Sequence, residues 1–149
     1  MQGVENDKLT NQPEPATNGG LAMSYLGLRK GIGFLGLALP IVLMVGKIWL
    51  DGGGIENSIS AYYYTGMRNY FVGTMCAIGV FFTSYRYRRE DNYLSDAVAA
   101  FAVGVALFPT TPAIASPTTS QTIVGYVHLT SASLFFLCLA YFSLFLFTK

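Results

Sequence analysis

Charge is what this chain has least of. Of its 149 residues only 11% are charged, against 52% hydrophobic, and the mean hydropathy is +0.44. Soluble domains carry about 25% charged residues. The shortfall leaves too little charge to cover a water-facing surface, which excludes an ordinary soluble domain and places the chain in the membrane class. The net charge is +1 and no long basic block occurs, so a nucleic-acid partner is excluded as well.

Cysteine is nearly absent. Cys76 and Cys138 each sit inside an apolar run, where cysteine packs as a small hydrophobe, and two such residues make no disulfide framework. His128 is the single histidine, so a metal centre built within one chain is not expected, and neither is a cofactor. Catalytic signatures are missing too: no G-x-S-x-G elbow, no H-E-x-x-H, no Walker lysine and no G-x-G-x-x-G opening a helix. The "GIG" at 31–33 lies within an apolar run and reads as packing or flexibility. The N-terminus lacks the basic start and apolar core of a secretory signal.

What is present is organised by hydropathy. Residues 1–20, "MQGVENDKLTNQPEPATNGG", are polar with Pro and Gly, and read as a disordered tail. "LAMSYLGLRK" (21–30) suggests a short interfacial helix. Four apolar segments follow, at about 31–50, 66–85, 93–109 and 122–148. The first is long enough to cross a hydrocarbon layer of ~30 Å at ~1.5 Å per residue. It contains Pro40, which predicts a kink, and Lys47 and Trp49 suited to a membrane interface. The third is short and small-residued, with Ala100 and Gly104 spaced for close helix packing. The expected fold is therefore all-α: a polytopic bundle of four transmembrane helices behind a polar tail, 21–149 forming one domain.

Basic residues orient it. Arg29, Lys30, Arg86, Arg88, Arg89 and Lys149 all fall on one side of a four-span bundle, while the other side holds only Lys47 and Arg68 at helix edges. The positive-inside rule then puts both termini in the cytoplasm, in a cell (inner) membrane.

The stretch "SISAYYYTGMR" lies on the opposite, outer side. Its tyrosines suit an interfacial aromatic belt, and that use of them is the commoner one. At the same depth stand the end of the third segment and the start of the fourth. Ser58, Ser60, Tyr62, Arg68, Thr110, Thr111 and His128 are thus candidates for one outward-facing polar pocket that binds ligand. An ionisable residue inside a span faces a bundle interior or a wet cavity. Ser131, three residues on from His128, is placed to orient its ring. The competing reading is a histidine that hydrogen-bonds a neighbouring helix and only stabilises packing. Asp96 lies at the opposite end of the third helix, so an Asp–His pair is excluded on distance.

"SISAYYYTGMRNYFVGTMCAIGVFF", "FAVGVALFPTTP" and "VGYVHLTSASLFFLCLAYFSLFLFTK" together resemble a group of bacterial multi-pass membrane proteins gathered as domain of unknown function 998. The resemblance covers about residues 25–149. Through Ser60, Tyr62, Tyr63, Arg68, Pro109 and His128 it implies a shared architecture and no assigned chemistry. Relatives of that kind continue into further helices, which implies that this chain is a truncated member.

Three functions follow in order. The first is a non-enzymatic integral membrane protein that binds a lipid headgroup or a protein partner at the outer pocket, its partners being membrane lipids, other membrane proteins or itself. The second is an intramembrane lipid hydrolase or transferase using His128 with a serine from another helix. The third is an oligomeric transporter or channel component, ranked last because the span centres offer only Thr74, Ser133 and the cysteines as polar groups.

Overall fold

Glycine, proline and hydroxyl caps divide the chain. The computed structural model describes residues 25–84 and 89–146. The tail 1–20, residues 21–24, Arg86, Arg88 and Lys149 lie outside the described residues. Helix α1 (Tyr25–Asp51) runs unbroken through Pro40. From Tyr25 onward the expected interfacial helix is simply the first turn of α1. The helix stops at "DGGG", where Gly52 has φ +65°, the left-handed conformation that glycine adopts without a Cβ penalty. The Asp51 carboxylate then accepts from the Gly66 N–H at 3.1 Å, which closes the intervening loop.

A 3₁₀ segment, Ile59–Tyr64, follows. Ser58 caps it by accepting the Ala61 N–H on its side-chain oxygen at 3.2 Å. Thr65 joins it to the next helix: its hydroxyl donates to the Tyr62 carbonyl at 2.8 Å and accepts from the Met67 N–H at 3.2 Å. Helices α2 (Arg68–Ser84) and α3 (Arg89–Leu107) come next. Pro109 ends α3, because the residue before a proline is pushed out of helical geometry. Helix α4 (Thr119–Tyr141) opens with a reciprocal cap: Thr118 Oγ1 accepts the Gln121 N–H at 3.2 Å, and Gln121 Oε1 accepts the Thr118 N–H at 2.8 Å. It closes in a π-helical turn, Phe142–Leu146. No strand occurs among the described residues, so the all-α expectation holds.

The helices pack in chain order, α1 on α2, α2 on α3 and α3 on α4, while α1 and α4 nowhere bring their backbones together. Each contributes a stripe at helical spacing to one core. Leu39 and Leu43 come from α1, and Phe71, Met75, Ile78 and Phe82 from α2. Val98, Ala102 and Val105 come from α3, and Phe135 from α4. Small residues set the closest approach. A Cβ on Gly79 would stand 3.3 Å from the Ala99 carbonyl oxygen, and one on Gly104 would stand 2.7 Å from Ser131 Oγ. Gly104 thus packs as its spacing suggested, but Ala100 points outward. Ala99, Ala102 and Ala106 are the buried small residues of α3.

Outward faces are apolar. Phe34, Leu37, Ile41, Val45 and Ile48 on α1, Ile123, Leu129, Phe136 and Leu137 on α4, and Leu144 in the closing turn are exposed; Trp49 is 89% exposed. Two helices, Gly27–Asp51 and Thr119–Phe145, are long and apolar enough to cross a membrane, and Asn92–Leu107 is a shorter apolar helix. The two long windows are only 11% and 17% buried, unlike the core helix of a water-soluble fold. Membrane association is what these faces point to.

Candidate functional site

The site begins with an unfinished helix. Phe108 N–H still bonds the Gly104 carbonyl at 3.0 Å, but Pro109 prevents another turn, leaving the Phe108 carbonyl without a helical partner. His128, one turn beyond Gly125 on α4, fills that vacancy. Its Nδ1 lies 2.7 Å from the Phe108 oxygen. A carbonyl only accepts, so in the neutral ring the proton sits on Nδ1, and Nε2 presents a lone pair. Ser60 Oγ stands 2.8 Å from Nε2 and is therefore the donor of that bond. His128 is 3% exposed.

Ser60 belongs to the 3₁₀ segment and is held there from both sides. Tyr62, two residues on, is fully buried, and its hydroxyl oxygen accepts the Glu56 N–H at 3.3 Å. Lys47 reaches out of α1 to donate to the Gly54 carbonyl at 2.7 Å and to pair with Glu56 at 2.9 Å, which fastens the connecting loop. Tyr64 donates to the Thr110 carbonyl at 2.6 Å, tying the 3₁₀ segment to the irregular "PTTP" that follows α3. Burial, helped by the neighbouring Tyr63 and opposed by Arg68, raises the Tyr64 hydroxyl above its ordinary pKa, so it keeps its donor proton across neutral pH.

Beside Ser60 a cleft of about 450 Å³ opens between α1 and α4, floored by α2 and α3. Such a volume is in the range of ligand sites. Its walls are apolar: Gly33, Gly36 and Leu39 on one side, Phe135 and Leu139 on the other, Phe71 and Met75 behind. Among the described residues Ser60 is the only hydroxyl on the wall. Gly33 and Gly36 have nothing within 4 Å of where a Cβ would be, so these glycines leave the cleft open rather than admit a packed neighbour.

The seven candidate residues separate into distinct places. Ser60 and His128 are brought into direct contact. Thr111 packs against the Cα of Gly125, one turn before His128, so close that a Cβ there would collide with its hydroxyl and its backbone nitrogen. Thr110 takes part through its carbonyl. Ser58 is used as a cap and Tyr62 as a buried anchor. Arg68 turns to the outside, where its guanidinium lies 4.3 Å above the Tyr63 ring and donates to the Tyr63 hydroxyl at 2.7 Å. Ser131 does not orient His128; it faces Gly104, and both ring nitrogens are engaged elsewhere. The residues that sequence reasoning passed over are the Phe108 backbone carbonyl and the glycines of α1. The signal for the first was Pro109, and for the second the i, i+3 spacing of Gly33 and Gly36.

Among the described residues no group of three potential metal ligands gathers. The fold and site define an all-helical, membrane-associated chain with a part-buried serine–histidine contact beside an apolar cleft. No family model, no curated protein and no solved structure matches it.

Proposed function

We propose that this chain is an integral membrane protein of four spans that holds a lipid acyl chain in the cleft between α1 and α4. The carrying observation is the cleft itself: its walls are hydrocarbon along α1 and α4, and its polar group, Ser60, stands at one end. The outer faces of the same helices are apolar, so the medium beside the opening is hydrocarbon, and an acyl chain is the occupant that medium supplies. The lipid's polar end would lie beside Ser60 and the 3₁₀ segment, with Arg68 and the tyrosines facing the headgroup layer.

Helices α2 and α3, at 17 and 19 residues, complete the four spans. Arg29 and Lys30 near the start of α1, Arg86 and Arg88 between α2 and α3 in sequence, and Arg89 at the start of α3 mark the cytoplasmic end of a cell (inner) membrane protein, with both termini inside. At the other end Lys47 and Arg68 are matched by Asp51 and Glu56. In a background lacking Cys76 and Cys138, Asn57→Cys should react with a membrane-impermeant thiol reagent on intact cells, while Thr83→Cys should react only after permeabilisation. The reverse pattern would overturn the orientation, and reaction of both from outside would remove α2 as a span.

Occupancy is tested by filling the cleft. Gly33→Leu with Gly36→Leu places two side chains in open space, so the fold should survive. The wild-type protein, extracted in mild detergent and weighed intact by native mass spectrometry, should retain about one lipid per chain, and the double variant should lose it. Equal retention by both would sink the acyl-chain reading. A wild-type mass equal to two chains without lipid would assign the cleft to a helix of a second copy.

A further inference from the structure

We infer that Ser60 and His128 are a nucleophile and its general base, and that the bond they attack is the carboxylic ester of a lipid whose acyl chain occupies the cleft. This rests on the acyl-chain reading above and adds a reaction to it.

Three observations converge. The first is the direction of the hydrogen bond. Because the Phe108 carbonyl fixes the proton on Nδ1, the Nε2 lone pair faces Ser60 at 2.8 Å, which is the arrangement required for an imidazole to take a serine proton. The second is shielding. His128 is buried behind Ser60, so water does not compete for Nε2, while Ser60 itself lines the cleft. The third is position. Ser60 ends an apolar cleft and sits on the loop between two helices, so a bound chain is apolar along the walls and meets its first polar atoms at the hydroxyl. In an acylated lipid those atoms are the ester.

The step balances with water or another hydroxyl compound as co-reactant. Ser60 Oγ attacks the ester carbonyl carbon while its proton passes to His128 Nε2. The carbonyl-to-alkoxy bond breaks, and the leaving alcohol oxygen takes that proton, which leaves acyl-Ser60 and a neutral ring. The hydroxyl compound then gives its proton to Nε2 as its oxygen attacks the acyl group. Ser60 leaves with the proton returned, and the acyl chain departs as free acid or as a new ester. Phe108 takes part as a positioning group. Its carbonyl holds the Nδ1 proton and, as a neutral acceptor, orients the imidazolium rather than neutralising it.

The test is covalent trapping in native membranes. An alkyl fluorophosphonate carrying a long chain should label the wild-type protein, with the adduct on the peptide containing Ser60. Ser60→Ala should abolish it. His128→Asn retains a donor for Phe108 but has no base, and should slow labelling by about 100-fold or more, while lipid retention and thermal stability stay close to wild type. Retention and stability would be unmoved by loss of a base alone, so this split separates base from scaffold. An unlabelled wild-type protein, or an adduct at another residue, overturns the inference without any variant needing to fold. Ser60 labelled at an undiminished rate in His128→Asn removes His128 as the base. Lipid retained by a wild-type protein that is not labelled leaves the acyl-chain reading standing and the reaction refuted. Unchanged labelling of the Gly33→Leu, Gly36→Leu protein by the long-chain probe refutes the cleft as the acyl site.

Discussion

Replacing His128 by leucine should lower the thermal unfolding midpoint in detergent by about 5–10 °C. The leucine fills the same volume on α4 but offers no polar atom, so the Phe108 carbonyl and the Ser60 hydroxyl lose their partners together. A buried polar group left unsatisfied costs about 1–3 kcal/mol, though hydrogen bonds between membrane helices average nearer ~0.6 kcal/mol. Ser60 has a rotatable hydroxyl beside an open cleft, whereas the Phe108 carbonyl is fixed at a helix end, so the carbonyl dominates the loss. A total of about 2–3 kcal/mol converts at roughly 2–4 °C per kcal/mol for a chain of this size. Asparagine places an N–H near the position of Nδ1, and His128→Asn should recover most of the loss; His128→Gln, whose amide reaches toward Nε2, should recover less. Circular dichroism melts of the three variants check the order. A leucine variant as stable as wild type would mean that the carbonyl and the ring are not bonded.

This ordering shows where sequence reasoning reached and where it stopped. Hydropathy set out four apolar segments because burial and length leave a strong periodic trace, and the helices fall where those segments lie. Edges shifted by several residues, since local capping moves them: α4 begins at Thr119 on the Thr118–Gln121 cap, and α1 is already helical at Tyr25. His128 stood out because an ionisable side chain within an apolar run is expensive, and Ser60 was near it in depth. Depth alone did not single out Ser60 from Ser58, which lies two residues earlier and ends as a cap. Arg68 is conspicuous in sequence yet turns outward onto Tyr63. The Phe108 carbonyl has no side-chain signature at all, and only the proline after it hints that it is free. The cleft was illegible for a related reason: it is made by helices that fail to meet, and composition records what packs more readily than what does not.

Gly125→Ala should be the most damaging glycine-to-alanine change among the described residues. The added Cβ would collide with the Thr111 hydroxyl and stand 2.8 Å from the Thr111 backbone nitrogen and 3.0 Å from its Cβ. A flexible side chain could swing away, but a backbone nitrogen moves only with its segment, here one bracketed by Pro109 and Pro112. Overpacking of this kind costs about 1–3 kcal/mol, which outweighs the ~1 kcal/mol that alanine gains over glycine within a helix. The site should suffer along with the fold. Pushing residues 109–112 off α4 draws the Phe108 carbonyl away from Nδ1, and the ring loses the contact that aims Nε2 at Ser60. Gly73→Ala is the matched control: Gly73 is exposed on α2 with nothing within 4 Å of a Cβ, so propensity acts alone and the melt should hold or rise. Thr111→Gly in the Gly125→Ala background removes the hydroxyl and Cβ collisions but not the backbone one, and should restore part of the midpoint. A double-mutant cycle reads that coupling directly. If Gly125→Ala melts no lower than Gly73→Ala, the close seat of the "PTTP" segment on α4 is wrong, and with it the means by which Phe108 is held over His128.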